Sequence, residues 1–239
     1  MLTMKLYQWK NWLQHHPDPN YRKLFTMLKR LRNWELPTPC LYNRATYALL
    51  LTLRNSSEGL MRVLIHTPAF KGRVHSCGRQ LLLYGGQPYI SGPLQIQVGD
   101  RCRISGQTTF SGRSASGTTH LVIGNNVGIG WQTTIAVGRN VIIEDNVRIT
   151  GRAFLFGYPG HPMNAEQRAQ GLPDDDSQVG DIHLEKNVWL GTNVSVKGGV
   201  TIGEGTVVCA GSVVTKSLPP FVLAAGNPAK MLFSIRSLQ

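Results

Sequence analysis

From Leu184 the chain divides into six consecutive hexads, LEKNVW, LGTNVS, VKGGVT, IGEGTV, VCAGSV and VTKSLP. Each opens on an aliphatic residue (Leu184, Leu190, Val196, Ile202, Val208, Val214). Four residues further on stands a small or β-branched one (Val188, Val194, Val200, Thr206, Ser212), with Leu218 as the exception. The same frame runs upstream through Val98 and Ile104, Ile123 and Ile129, and Ile143 and Ile149. A period of six is neither the 3.6 of a helix nor the two of an isolated strand, and the Gly, Asn and Asp between the aliphatics demand a turn in every repeat. The geometry that satisfies both is a prism: three hexads close one coil, and coils stack at about 4.8 Å through parallel strand pairing, piling equivalent aliphatics inside. The expectation is a mainly β protein, a parallel β-helix over residues 98–220.

The flanks read differently. Residues 1–65 carry helical periodicity, with Leu24, Met27, Leu28 and Leu31 on one face and Lys23, Lys29, Arg30 and Arg32 around it. A second helical stretch follows Pro37 and Pro39, near Arg44 to Arg54. Residues 66–97 are a transition and first coil, and residues 221–239 form a cap made of an extended segment, a Gly-Asn-Pro turn and a short closing helix.

Charge is lopsided: of 25 Lys and Arg against 13 Asp and Glu, residues 1–62 hold 10 basic and 3 acidic side chains. The longest apolar stretch there, Ala45 to Leu53, has 9 residues, about half of the roughly 20 needed to span a bilayer. The first residues lack a secretory signal pattern, so the expected location is the cytoplasm. A basic amphipathic helix can instead lie on an anionic inner leaflet, which makes peripheral membrane contact the alternative to simple packing. Cys40, Cys77, Cys102 and Cys209 lie far from any C-x-x-C spacing and read as reduced thiols, and no metal site is expected. No recognised motif for nucleic acid accompanies the positive charge.

Between Leu155 and Ile182 the hexads stop. The intervening segment, rich in Pro, Gly and Asp, cannot continue a sheet, and a loop of that length is normally functional. It carries His161 between Gly160 and Pro162. An acidic run, Asp174 to Asp176, either shapes the acceptor side of the loop or is a solvated turn.

The G-H-P of Gly160 to Pro162, then Arg168 and Gly171, the run KNVWLGTNVSVKGGVTIGEGTVVCAGSVVTKSLPP and AAGNPAK resemble the hexapeptide-repeat acyltransferases of the maltose and galactoside O-acetyltransferase type. The resemblance spans roughly residues 95–235. It implies a left-handed β-helix, acetyl-CoA as co-substrate, a homotrimer, and acetyl transfer to a sugar hydroxyl, as in surface polysaccharide or exopolysaccharide biosynthesis. It also implies roles: His161 as general base on the catalytic loop 156–182, Trp189 beside the pantetheine arm, the Thr192 backbone N–H near the thioester, and Ala210, Thr215, Lys216 and Lys230 along the coenzyme A groove. Tentative acceptor contacts are Trp131, Gln132 and Asp175.

The chemistry stands by itself: an alcohol is a poor nucleophile at neutral pH, and an imidazole of ordinary pKa suits the base that activates it. A fixed backbone donor on a rigid edge suits the tetrahedral oxyanion. Rival readings are a serine-acetyltransferase-like or other small-molecule acetyltransferase, and a non-catalytic β-helix scaffold. His120, His161 and His183 lack the H-x4-H spacing of zinc-bearing β-helix carbonic anhydrases.

Overall fold

A computed structural model describes residues 2–236. It separates into two compact units, the first through Leu53 and the second from Arg54 onward.

In the first unit, α1 (Leu2–His15) and α2 (Pro19–Arg32) are joined by a tight link and pack on each other. Asp18 caps α2 by accepting from the Asn20 N–H at 2.8 Å, and Pro19 takes the first helical position, where its missing donor costs nothing. Trp12, His16 and Tyr21 cluster at the link, and Leu13 is buried. Only part of the expected apolar face is used here: Phe25 and Leu28 are half-buried, whereas Met27 and Leu31 stay exposed. Helix α3 (Cys40–Met61) follows, then a π-turn over Arg62–His66 and α4 (Thr67–Arg73). Helix therefore continues to Arg73 rather than ending near 65, because Phe70, fully buried, anchors the last turn to the solenoid core.

The second unit is the expected parallel β-helix. Its strands fall into three sheets, one per prism face, and within each face they pair in parallel from coil to coil. Face A runs from Ser76–Cys77 through Leu94–Val98, Thr119–Ile123, Asn140–Ile143 and Ile182–Leu184 to Val200–Ile202. Face B includes Leu82–Tyr84, Arg103–Ser105, Gly128–Ile129, Arg148–Ile149, Trp189–Leu190 and Val207–Val208. Face C includes Thr109–Gly112, Thr134–Val137, Phe154–Phe156 and Ser195–Lys197. The chain visits A, B and C in that order in every coil. Register is exact to the residue: Leu121, Val141, Ile182 and Val200 stack inside face A, and Ile104, Ile129, Ile149, Leu190 and Val208 inside face B, all essentially buried.

The polar residues of the hexad make the corners. Asn126, Asn146 and Asn187 adopt positive φ at the A/B corner, a conformation that asparagine tolerates better than most residues. They form a ladder, with the Asn126 amide donating to Asn146 at 2.8 Å and the Asn146 amide to Asn187 at 3.1 Å. Gln132, Arg152, Asn193 and Gly211 hold the same conformation at the B/C corner. Cys102 is buried, its thiol donating to the Gly124 carbonyl at 3.1 Å, and burial pushes that thiol's pKa up. All four cysteines are free, and Cys40 is exposed.

The C-terminal cap differs from expectation. In place of a closing helix, Val222–Gly226 and Ala229–Ser234 form an antiparallel hairpin added to face B. The last coil leaves a row of unpaired backbone groups, which a strand satisfies and a helix does not. Residues 237–239 of the expected helix lie outside the described residues.

Candidate active site

The long loop leaves at the C/A corner, immediately after Phe156, and returns at Ile182, where face A resumes. Its foot is closed by backbone: the Gly180 N–H donates to the Gly157 carbonyl at 2.9 Å, and Asp181 accepts from the Asn140 N–H at 2.9 Å. Such close approach needs glycine, since a Cβ on Gly157 or Gly180 would meet backbone atoms of the adjacent coils at 2.7 and 2.3 Å.

What orders the excursion is a buried guanidinium. Arg113, at the end of face C two coils earlier, donates Nε to Asp174 Oδ1 at 2.8 Å and Nη2 to the Asp174 carbonyl at 2.6 Å. Its Nη1 reaches Ser116 Oγ at 2.9 Å and Asp176 Oδ1 at 2.6 Å. Arg113 and Asp174 are 4% and 5% exposed at the side chain, whereas Asp176 is 76% exposed and contributes little. Burial alone would lower the Arg113 pKa, but the hydrogen bonds and charges of Asp174 and Asp176 outweigh it and leave the group firmly cationic. The second Asp174 oxygen accepts from the Gly160 N–H at 3.3 Å, one residue before His161. The acidic run is thus a solvated turn only at Asp175 and Asp176, and Asp174 is the loop's anchor. Asp175 beside it is exposed. Arg168 Nη1 braces the other side of the histidine by donating to the carbonyls of Pro162 at 2.9 Å and Met163 at 3.0 Å. His161 itself is exposed, and among the described residues its ring has no hydrogen-bond partner.

The other expected site residues divide between two edges. Trp189, half exposed, stands on the outside of face B, and Thr192 and Ala210 follow at successive B/C corners, linked by the Gly211 N–H donating to the Thr192 carbonyl at 2.8 Å. Trp131 and Gln132 occupy the same corner two coils below Thr192, and Arg152 lies over the Trp131 ring at 4.8 Å while its Nε donates to Gln132 at 3.1 Å. Along this corner the N–H groups of Trp131, Gly151, Thr192 and Ala210 donate to no protein acceptor among the described residues, whereas those of their neighbours Gly130, Gly191 and Asn193 do. Trp131, Thr192 and Ala210 are exposed, so the edge carries a column of free donors, with Gly151 buried against the Trp131 ring. Thr215 and Lys216, both exposed, lie past the last strand of face C, on the His161 side of the prism. Lys230 stands on the terminal hairpin, opposite Ala225.

Face C, about 16 Å across for five extended residues, separates the corner where the loop departs from the corner that carries Thr192. The loop's anchoring contacts all run along the C/A edge. One chain thus carries the loop histidine beyond one edge and N–H groups without a protein acceptor along the other.

Sequence reasoning missed Arg113, which is 61 residues from its partner and carries no local signal. It also missed a His183–Glu144 pair at 2.8 Å on the outside of face A. Among the described residues, no group of three or more His, Cys, Asp or Glu is placed to hold a metal ion.

Comparison with known proteins agrees with this fold. Residues 181–216 match the family model described as bacterial transferase hexapeptide (six repeats), so this stretch is a hexapeptide-repeat solenoid. The galactoside O-acetyltransferase of Escherichia coli (strain K12) is 38% identical over 117 residues, covering 49% of this chain and 55% of that protein. SACOL2570 of Staphylococcus aureus (strain COL) is 42% identical over 119 residues, covering 44% of this chain and 57% of its own length. The chain thus spans little more than half the length of the curated relatives it matches. Among solved structures, AntD, an N-acyltransferase from Bacillus cereus in complex with dTDP and 3-hydroxybutyryl-CoA, shares the fold at a TM-score of 0.56 and 19% identity, covering 72% of this chain and 89% of that one.

Removing the loop's anchor gives a direct check. Arg113→Ala leaves the buried Asp174 carboxylate without its partner, a change that costs about 3–5 kcal/mol when the pair is buried. Trypsin should cut after Arg168 at least tenfold faster in this variant than in the wild type. An unchanged cutting rate would show that Arg113 does not order the loop.

Proposed function

We propose that the protein is an acetyl-CoA-dependent O-acetyltransferase acting on a sugar hydroxyl, and that its site is completed by a second copy of the chain in a homotrimer. The observation that carries this reading is the division of the machinery: the loop histidine on the C/A edge, and the free N–H column with Trp189 on the B/C edge. Two copies set edge to edge bring one set against the other without bending the prism. The kinship with a galactoside O-acetyltransferase supports the acetyl transfer and the class of acceptor.

In this arrangement coenzyme A follows the B/C edge of one copy. The Thr192 and Ala210 N–H groups meet carbonyl oxygens of the pantetheine arm or thioester, the Trp189 ring packs beside the arm, and Lys230 of the hairpin answers the phosphates. Thr215 and Lys216, on the opposite edge, reach the donor from the neighbouring copy. His161 of that neighbour removes the proton from the acceptor hydroxyl as its oxygen attacks the thioester carbonyl. The oxyanion is met by the Thr192 N–H, a donor already fixed by the corner and so costing little reorganisation. Collapse forms the ester and expels the coenzyme A thiolate, which takes the proton back from the imidazolium. Transfer is direct, in a ternary complex.

The first unit suits a location at the inner face of a membrane. Among the described residues no helix is long and apolar enough to cross a bilayer. Yet Trp9, Trp12, Trp34, Tyr7, Tyr42 and Tyr47 are exposed there beside an excess of Lys and Arg. Aromatic rings at the headgroup level with cations around them are the signature of an interfacial helix. A cytoplasmic enzyme held in this way would meet a glycan acceptor carried on a lipid.

His161→Ala should lower kcat by about 10²- to 10⁴-fold and leave coenzyme A affinity nearly unchanged. His183→Ala should leave kcat within twofold. Full loss in the second variant and none in the first would move the base to the His183–Glu144 pair. In flotation, the protein should bind anionic but not neutral vesicles, and lose that binding at high salt or on removal of residues 1–53. Indifference to anionic vesicles at low salt would remove the membrane role.

A further inference from the structure

A groove of about 600 Å³ runs along face B beneath Thr192. It is lined by Arg101, Arg103 and Arg148, with Tyr84 and Trp131 as its aromatic walls. Arg103, Gly128 and Arg148 are consecutive in register across three coils, so a glycine lies between the two arginines. The absence of a side chain there lets Arg148 lie flat: a Cβ on Gly128 would stand 3.3 Å from Arg148 Cδ. Arg148 leans across the glycine to donate to the carbonyl and the side-chain oxygen of Asn126, which brings its guanidinium toward the coil that follows Arg101 and Arg103. Tyr84 closes the floor, its hydroxyl donating to the Ile129 carbonyl at 3.3 Å.

Three cations share this groove and no carboxylate lines it. Among the described residues none of the three forms an ion pair. The acids nearest in sequence, Asp100 and Asp145, instead accept from the backbone N–H groups of Arg79 and Asn125, each at 2.6 Å. Guanidiniums in one groove without a counter-charge repel one another, and their remaining donors form planar forks that a phosphate or carboxylate can accept bidentately. The groove's upper end is Thr192, at the donor's thioester; Trp189 shares that coil, and the other residues assigned to coenzyme A lie on the coils above.

We propose that this groove binds the acidic part of the acceptor, a phosphate or carboxylate carried by the glycan, with the sugar ring against Trp131 and its hydroxyl directed to the thioester. This deepens the acetyltransferase reading and rests on it. The acceptor is then not a neutral sugar: its anionic group is recognised one to three coils below the reacting hydroxyl, a span that suits a sugar phosphate or an acidic sugar.

The test uses calorimetric titration of the full chain with pyrophosphate, glucuronate, glucose and coenzyme A, each alone. The wild type should bind pyrophosphate or glucuronate and not glucose. Pyrophosphate binding the tighter points to a phosphate-linked acceptor, glucuronate to an acidic sugar. Arg103→Gln, and Gly128→Val, which displaces Arg148 at a position where a β-branched residue suits the strand, should each weaken anion binding about tenfold or more. Coenzyme A affinity should stay within twofold in both. Arg139→Gln, which removes a charge elsewhere, should change nothing. Binding of neither anion, equal weakening in the Arg139 variant, or a matching loss of coenzyme A affinity would each overturn the proposal. Failure of the wild type to bind coenzyme A would instead overturn the acetyltransferase reading itself.

Discussion

Every other feature of this protein depends on the stacking of equivalent aliphatic side chains, one coil directly above the next, inside a prism too narrow to admit anything else. Leu190 stands above Ile149 and below Val208, and each is buried by its two neighbours as much as by its own coil. A shift of one residue would turn these side chains to the outside of face B. The chain can therefore tolerate an insertion only at a corner, where an excursion leaves the register of the next coil untouched. The segment between Phe156 and Ile182 obeys this rule: it departs from one strand end and returns to the start of the next face.

Because the interior is full, chemistry is confined to the outside of the prism, along its faces and edges. There the positive-φ corners turn certain N–H groups outward, and there the loop is extruded. The loop needs its own source of order, since it has no sheet to join. Arg113 supplies it: a buried cation satisfied by the Asp174 carboxylate and carbonyl, with the spare carboxylate oxygen on the Gly160 N–H. Unpaired, either partner would be a buried charge. The result is a histidine that is exposed but tethered, with Arg168 holding the backbone on its far side.

The hexads made the solenoid legible because the spacing of aliphatics and the Asn or Gly of each repeat report the same coil, and His161 stood out because it breaks that pattern. Trp189, Thr192 and Ala210 came from the family resemblance rather than from the spacing. Other features depended on partners far along the chain. The cap read as a helix because a short apolar run such as MLFSI fits either period, and only the unpaired edge of Val222–Gly226 selects a strand. Helix continued past residue 65 because Phe70 finds a place in the solenoid core, which no local signal announces. Asp174 looked solvated in a run of three acids, and its burial depends on an arginine on a different coil. Handedness also lay outside what the residues alone could indicate, since the usual crossover preference is right-handed.

The central claim is that base and donor column come from different copies of the chain, and mixing two inactive variants tests it most directly. His161→Ala lacks the base. Thr192→Pro lacks the edge donor at a position whose N–H has no protein acceptor, after a glycine that accommodates the restriction proline imposes. Each variant alone should be inactive. Co-assembled in equal amounts, they should regain about a quarter of wild-type activity, the share of interfaces in a random trimer that unite an intact histidine with an intact Thr192. Activity that stays at the background of the separate variants would contradict the account and place the whole site within one chain.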